Sequence, residues 1–190
     1  MSSIELFQNK TDCCGCSACY NVCPRKAISM QEDEYGYVYP VIDQDKCVGC
    51  GLCRKVCHYQ ADKELRTPIK AYAAAGKKEE FLKKAASGGM FSLVADKILE
   101  EGGVVFGAAM EYHNNTLIPK HIAVESKEEL FKLQGSKYVQ SFIGNTYAEA
   151  KKYLADGRKV LFSGTPCQIE GLKGYLGREY ENLYLSLIHI

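Results

Sequence analysis

The sequence predicts a small α+β module over residues 1–62 followed by an incomplete α/β domain over 71–190, with 63–70 as linker. Three observations carry this reading. Nine of the ten cysteines fall between Cys13 and Cys57, eight of them in two copies of one spacing. A polar stretch closed by Pro68 follows them. From Ile69 onward, strand-like and helix-like segments alternate, as they do in α/β folds. A chain of 190 residues has room for one ordinary domain beside such a module.

The cysteine repeat justifies the first element. Cys13, Cys16, Cys19 and Cys23, the last followed by Pro24, recur as Cys47, Cys50, Cys53 and Cys57, the last followed by His58. Gly15 and Gly49 precede the second cysteine of each run. Three thiolates at i, i+3 and i+6 wrap one iron–sulfur cube when a tight glycine loop turns them inward. The fourth lies further on and reaches the other cube, as in bacterial ferredoxins. One 4Fe–4S cluster is therefore expected on Cys13, Cys16, Cys19 and Cys57, and a second on Cys47, Cys50, Cys53 and Cys23. The expected architecture is an α+β two-cluster ferredoxin-like module. Each half is too small to bury a core alone, so the clusters take the place of an interior. Ala27 and Ile28 add apolar packing, and Tyr35 to Tyr39 around Gly36 read as a short strand pair. Zinc ribbons fit less well, because they use paired knuckles and not eight cysteines in a duplicated run. Cys14 is surplus to this set and reads as a spectator thiol; His58 reads as a helix-start residue.

Composition excludes other classes. The net charge of +1 is spread along the chain, with no basic stripe for a nucleic-acid backbone. No apolar run approaches the roughly 20 residues of a membrane span. The start, MSSIELFQNKTDCC, has no basic and apolar leader, so no secretory signal is read and a cytoplasmic location is expected.

The second region is read segment by segment. Lys70 to Gly76 reads as a strand and Glu79 to Ala86 as a short helix. Ala86-Ser87-Gly88-Gly89-Met90 opens a helix with Phe91, Val94, Ala95, Ile98 and Leu99 on one face, Ser87 as N-cap and Gly102-Gly103 as its stop. Val104 to Met110 and Leu117 to Val124 read as strands around a turn at Asn114-Asn115. Ser126 with Glu129 predicts a capping box and a short helix through Leu133. Thr146 with Glu149 opens another helix that runs to Ala155. Lys159 to Ser163 reads as a buried strand, followed by the loop Gly164-Thr165-Pro166-Cys167 and a helix to Leu176. Two loops are open to chemistry. Ser87-Gly88-Gly89 either cradles a phosphate with bare amides or simply caps a helix. Cys167 is either a ligand or nucleophile at a helix N-terminus or a plain buried cysteine.

The segments ASGGMFS, EEGGVVFGAAM, LQGSKYVQS and KVLFSGTPCQIEGLKGYL occur in this order. Together they resemble the coenzyme F420 hydrogenase/dehydrogenase beta-subunit family, as a bacterial member with a fused N-terminal ferredoxin. The resemblance covers the chain from about Cys13 to Tyr184. It implies an iron–sulfur flavoprotein that binds FAD and passes electrons between clusters and a reducible small organic substrate, the deazaflavin coenzyme in methanogens. It implies a flavin-phosphate site at Ser87, Gly88 and Gly89. It also places Lys137 and Tyr138 in the flavin pocket, with Lys137 available to stabilise an anionic reduced ring. Cys167 matches a cysteine that in some members joins downstream cysteines around another cluster; those downstream cysteines do not occur here.

Two functions from different classes follow. One is a flavin oxidoreductase served by a redox partner protein or reduced ferredoxin. The other is a non-enzymatic electron carrier with an α/β docking scaffold. Chain length favours the first, since a carrier needs only the module. The ending Leu185 to Ile190 matches one frame of a sequencing adapter, which gives the expectation of a truncated gene product without catalytic competence; a genuine final strand is the other reading.

Overall fold

The computed structural model describes residues 4–60, 67–85 and 87–187. Residues 61–66, which include the first half of the expected linker, together with Ala86 and 188–190, lie outside the described residues.

The cysteine-rich module holds helix α1 (Ala18–Val22), strands β1 (Ile28–Glu32) and β2 (Val38–Ile42), and helix α2 (Leu52–Lys55). Its two halves repeat in backbone conformation as well as in sequence. Gly15 and Gly49 have φ of 64° and 70°, while Ser17 and Gly51 have φ of 63° and 74°. A pair of left-handed residues therefore bends each loop before its helix, and Cys19 and Cys53 sit buried on α1 and α2. The strands form an antiparallel hairpin from Ile28↔Ile42 to Glu32↔Val38. Its tip is tied by Asp33 Oδ1, which accepts from Tyr35 N and Tyr37 N at 3.0 Å each. Tyr35 and Tyr37, expected in the strand pair around Gly36, lie outside both strands. The module's core is small: Leu6, Cys19, Ile28 and Cys53 are buried together, with Phe7, Val22 and Ile42 packed around them.

The α/β region is a mixed four-stranded sheet with helices on both faces. Its strands are β3 (Val104–His113), β4 (Thr116–Val124), β5 (Val160–Gly164) and β6 (Leu183–Leu187), in the order β4-β3-β5-β6. β3 and β4 are antiparallel, whereas β3/β5 and β5/β6 are parallel. The β3–β4 turn places Asn114 and Asn115 at φ of 47° and 62°, the two positive values a tight hairpin turn demands. The period-2 alternation sorts the core. Val105, Ala109 and Leu161 face helix α4 (Met90–Glu100), and Val104, Phe106, Val160 and Phe162 face helices α5 (Thr146–Ala155) and α6 (Pro166–Leu176).

Four expectations are corrected. The segment 71–76 forms no strand: Tyr72 is exposed, its alanines offer little surface to bury, and Gly76 N donates to Gly88 O at 2.7 Å. The helix read over Glu79 to Ala86 is the shorter α3 (Glu79–Lys83). Ser87 does not cap α4; Gly89, with φ of 73°, occupies the N-cap. Ser126 makes no capping bond, Glu129 pairs with Lys132, and the segment Lys127–Lys132 winds as a 3-10 helix. The predicted stop of α4 holds, since Gly102 N and Gly103 N bond Leu99 O and Ile98 O.

The module is docked on the sheet region. Ala18 and Val56 share one core with Ile143, Tyr147, Phe162, Ile169 and Leu172. Tyr147 Oη lies 2.9 Å from Cys16 O and 2.7 Å from Gln168 O, and Asn21 Nδ2 donates to Gly144 O at 2.9 Å. Helix α6 admits the module through two glycines. A Cβ on Gly171 would meet Cys16 Sγ at 3.1 Å, and one on Gly174 would stand 2.4 Å from Val56 O.

Candidate functional site

Two small cavities inside the module collect its thiols. One is lined by Cys13, Cys16, Cys19 and Cys57, beneath Leu6, Pro40 and Tyr59. The other is lined by Cys23, Cys47, Cys50 and Cys53, beneath Ile4, Ile28 and Ile42. The fourth cysteine of each run thus lies with the first three of the other run. The donor chemistry suits an iron–sulfur cube: four thiols converge on an apolar pocket, and backbone amides point at the sulfurs. Gly15 N donates to Cys13 Sγ at 3.5 Å, and Ala27 N donates to Cys23 Sγ at 3.3 Å. Burial pushes the Cys13, Cys19 and Cys53 thiols up, so metal loading must displace protons held by desolvation.

A third, larger cavity of about 710 Å³ opens at the carboxyl ends of β5 and β6. Ligand sites of 300–1,000 Å³ are typical, and this edge of a parallel sheet is where open α/β folds bind them. Its wall brings together most of the residues singled out in the sequence: Ser87, Gly89, Lys137, Tyr138 and Cys167. Gly88 is set apart from that wall. A Cβ there would stand 2.4 Å from Ala74 O, so its bareness serves backbone packing. Lys137 Nζ donates to Gln134 O at 2.7 Å and Lys132 O at 3.1 Å, leaving one of its three donors for a bound group. Burial holds its pKa below the ordinary lysine value. Tyr138 is 79% exposed and stands at the rim.

The floor of the cavity is a buried polar network that the sequence reading did not single out. His121 on β4 is 2% exposed, stacked on Phe162. Its Nε2 lies 2.9 Å from Ser163 O and its Nδ1 2.8 Å from Ser141 Oγ. A carbonyl can only accept, so Nε2 carries the proton and Ser141 donates to Nδ1. Gln168 Nε2 then donates to Ser141 Oγ at 3.1 Å, and Gln168 Oε1 accepts from Thr165 N at 3.0 Å. Ser141 reaches this position because Phe142 bridges to Lys120 along β4. Burial lowers the His121 pKa to about 4. One signal was legible: Thr165-Pro166-Cys167-Gln168 is a capping box, and Thr165 and Gln168 form it at the start of α6.

At the meeting of module and cavity lies a knot of thiols. Cys13, Cys14 and Gly15 line both the first small cavity and the large one. Cys14, Cys16 and His58 offer ligand atoms all within 4.8 Å of one another, and His58 Nδ1 is buried without a hydrogen-bond partner. The Cys14 thiol holds Cys16 down to about 5, helped by His58 and opposed by burial. It likewise holds Cys167 down to about 6, with Thr165 Oγ1 at 3.1 Å adding to it. The same contacts push the Cys14 thiol up.

Comparison with known proteins finds two family matches along the chain. Residues 12–61 match the 4Fe-4S dicluster domain family, and residues 71–145 match the N-terminal domain of the coenzyme F420 hydrogenase/dehydrogenase beta subunit. An uncharacterised ferredoxin of Methanocaldococcus jannaschii is 33% identical over 55 residues, covering 29% of this chain and 70% of the relative. The coenzyme F420-dependent sulfite reductase of the same organism is 25% identical over 170 residues, covering 85% of this chain and 24% of the relative. An uncharacterised protein of that organism is 25% identical over 200 residues, covering 90% of this chain and 54% of the relative. The chain therefore spans about a quarter and about half of those two longer relatives. Among the described residues no helix is long and apolar enough to cross a membrane. The chain belongs to the iron–sulfur electron-transfer proteins through a ferredoxin-type 4Fe-4S dicluster domain, which is followed by an α/β region with a mixed sheet.

Proposed function

We propose that the chain passes electrons between two 4Fe–4S clusters and an FAD held in the 710 Å³ cavity, where a small organic substrate or a deazaflavin coenzyme is reduced or oxidised. The observation that carries this reading is the shared wall. The segment Cys13 to Gly15 bounds both the first thiol pocket and the large cavity, so no further protein layer separates the two. The proposed ligands are Cys13, Cys16, Cys19 and Cys57 for the inner cluster, and Cys23, Cys47, Cys50 and Cys53 for the outer one. Bound in these places, the clusters supply one-electron transfer and the flavin a junction between one- and two-electron chemistry.

The protein's own residues do the rest. Ser87 and Gly89 present backbone at the start of α4, where a phosphate is favoured. The remaining Lys137 donor faces an anionic reduced ring. The outer pocket opens where Cys50 is exposed and Val48 and Leu52 are 58% and 39% exposed, a face suited to a redox partner protein. The other reading, a carrier with a docking scaffold, leaves the cavity without a role. Anaerobic purification with iron, sulfide and flavin analysis tests the proposal. About eight irons and one flavin per chain are expected. Stoichiometric zinc without charge-transfer absorption refutes the clusters, and a colourless α/β region at full iron content refutes the flavin.

A further inference from the structure

The floor of the large cavity leaves one side chain over. His121 Nε2 donates to Ser163 O, and Ser141 Oγ donates to His121 Nδ1. Gln168 Nε2 donates to Ser141 O and Ser141 Oγ at 3.2 and 3.1 Å, and Gln168 Oε1 accepts from Thr165 N. Ser163 enters this network only through its carbonyl. It is 4% exposed and lines the cavity, and among the described residues its hydroxyl has no hydrogen-bond partner. A buried polar group in that state points to a partner supplied from outside the chain.

The surroundings suit a flat ring. Ser163 lies two residues beyond Leu161 on β5, on the face turned to α4 and next to the carboxyl end of the strand. Gly107, Ala108 and Gly164 line the same cavity, so the neighbouring strand positions put no bulky side chain into it. The position is also held. His121 grips the Ser163 carbonyl from β4, and Ser141 joins the network to its chain neighbour Gln140. Gln140 Nε2 in turn donates to Cys14 O at 3.3 Å. Ser163 is thereby tied to the Cys13–Gly15 wall, where a ring that exchanges electrons with the inner thiol pocket must lie.

Resting on the flavin reading above, we propose that the Ser163 hydroxyl donates a hydrogen bond to an acceptor atom of the flavin ring. It holds the ring at the thiol wall and favours the reduced, anionic form over the oxidised one. The oxidised ring accepts a neutral hydrogen bond, worth about fivefold in affinity. An anionic ring accepts a charge-assisted one, roughly twice as strong, worth about fiftyfold. The network beneath it keeps the serine backbone in place, while the hydroxyl itself touches the ring.

The test uses the full chain, anaerobically reconstituted with iron and titrated with FAD and with dithionite-reduced FAD. Ser163→Ala should weaken oxidised FAD about fivefold and reduced FAD about fiftyfold. The tenfold difference lowers the two-electron midpoint of the bound flavin by about 30 mV. Ser163→Thr, which keeps a hydroxyl, should keep the wild-type midpoint. Unchanged affinities in Ser163→Ala overturn the contact. Equal losses for both redox states, with the midpoint unmoved, place the hydroxyl on the phosphates and overturn the ring assignment. A midpoint lowered as far in Ser163→Thr as in Ser163→Ala assigns the effect to shape and overturns the proposal too. Iron near eight per chain in each variant shows that the fold persists. A wild-type chain at full iron that binds no FAD refutes the flavin reading itself, and this contact falls with it.

Discussion

Lowering the pH from 7.5 to 5 should cost the fold about 2 kcal/mol through His121 alone. The ring is 2% exposed, and both nitrogens are committed, one to a carbonyl and the other to a hydroxyl that donates to it. A second proton on Nδ1 would face the Ser141 proton. Turning that hydroxyl away would set it against the Gln168 amide, itself a donor to Ser141 Oγ. Burial thus holds the folded pKa at about 4, against 6.5 for an ordinary histidine. The sign follows: the unfolded chain takes up the proton first, so stability is full above pH 6.5 and falls as pH drops toward 4. The whole shift corresponds to about 3 kcal/mol, and roughly two-thirds of it is lost by pH 5. Denaturant unfolding followed by circular dichroism, on wild type and His121→Asn at pH 7.5 and pH 5, measures it. Acid damage to the clusters enters both proteins alike and cancels in the comparison. The wild type should lose about 2 kcal/mol more than the variant between the two pH values. Equal losses would refute the neutral, doubly bonded imidazole.

Three further outcomes are expected. Cys23→Ala should lower iron from about eight to about four per chain, because its thiol lies in the pocket of Cys47, Cys50 and Cys53; unchanged iron would refute the crossing. Gly174→Ala should lower the thermal midpoint. The roughly 1 kcal/mol that alanine adds to a helix is outweighed by about 1–3 kcal/mol of overpacking against Val56 O, 2.4 Å from the new Cβ; a raised midpoint would show that module and helix can part freely. Gly89→Phe, at a backbone φ of 73° on the cavity wall, should lower flavin retention more than Gly88→Ala does among molecules that remain folded, and equal retention would argue against the site.

Much of this was legible because local chemistry repeats. The cysteine spacing announces two loops of one conformation, and the structure gives Gly15/Gly49 and Ser17/Gly51 matching left-handed values. Asn114-Asn115 and Gly102-Gly103 mark their turn and stop through the same preference. The misreadings arose where local signals compete. Ser126 and Glu129 carry the letters of a capping box, but Lys132 draws the carboxylate away. Ser87 is a good capping residue, yet Gly88 must press on Ala74, which carries the chain past Ser87 before α4 begins at Met90. The polar floor was hidden for another reason. His121, Ser141, Ser163 and Gln168 are joined only by the sheet, and a single histidine within a strand announces no partner.

What the sequence concealed most fully was the docking of the module. A polar stretch ending in Pro68 reads as a tether, and a tether would let the clusters swing freely. The structure replaces that picture with a joint. Ala18 and Val56 lie in the same core as Phe162 and Leu172, and Tyr147 is bound at once to Cys16 O and Gln168 O. Gln168 in turn anchors Ser141 and so the histidine floor. One tyrosine thereby links the backbone of Cys16, in the wall of the inner thiol pocket, to the network beneath the cavity. A tethered carrier needs no such coupling, because its thiol pockets would meet partners at different times and angles. A fixed electron route needs it, because the inner pocket must hold its distance from the cavity while the outer pocket stays open at Cys50. Gly171 and Gly174 satisfy that need with little side-chain volume, since a Cβ on either would press on Cys16 or Val56.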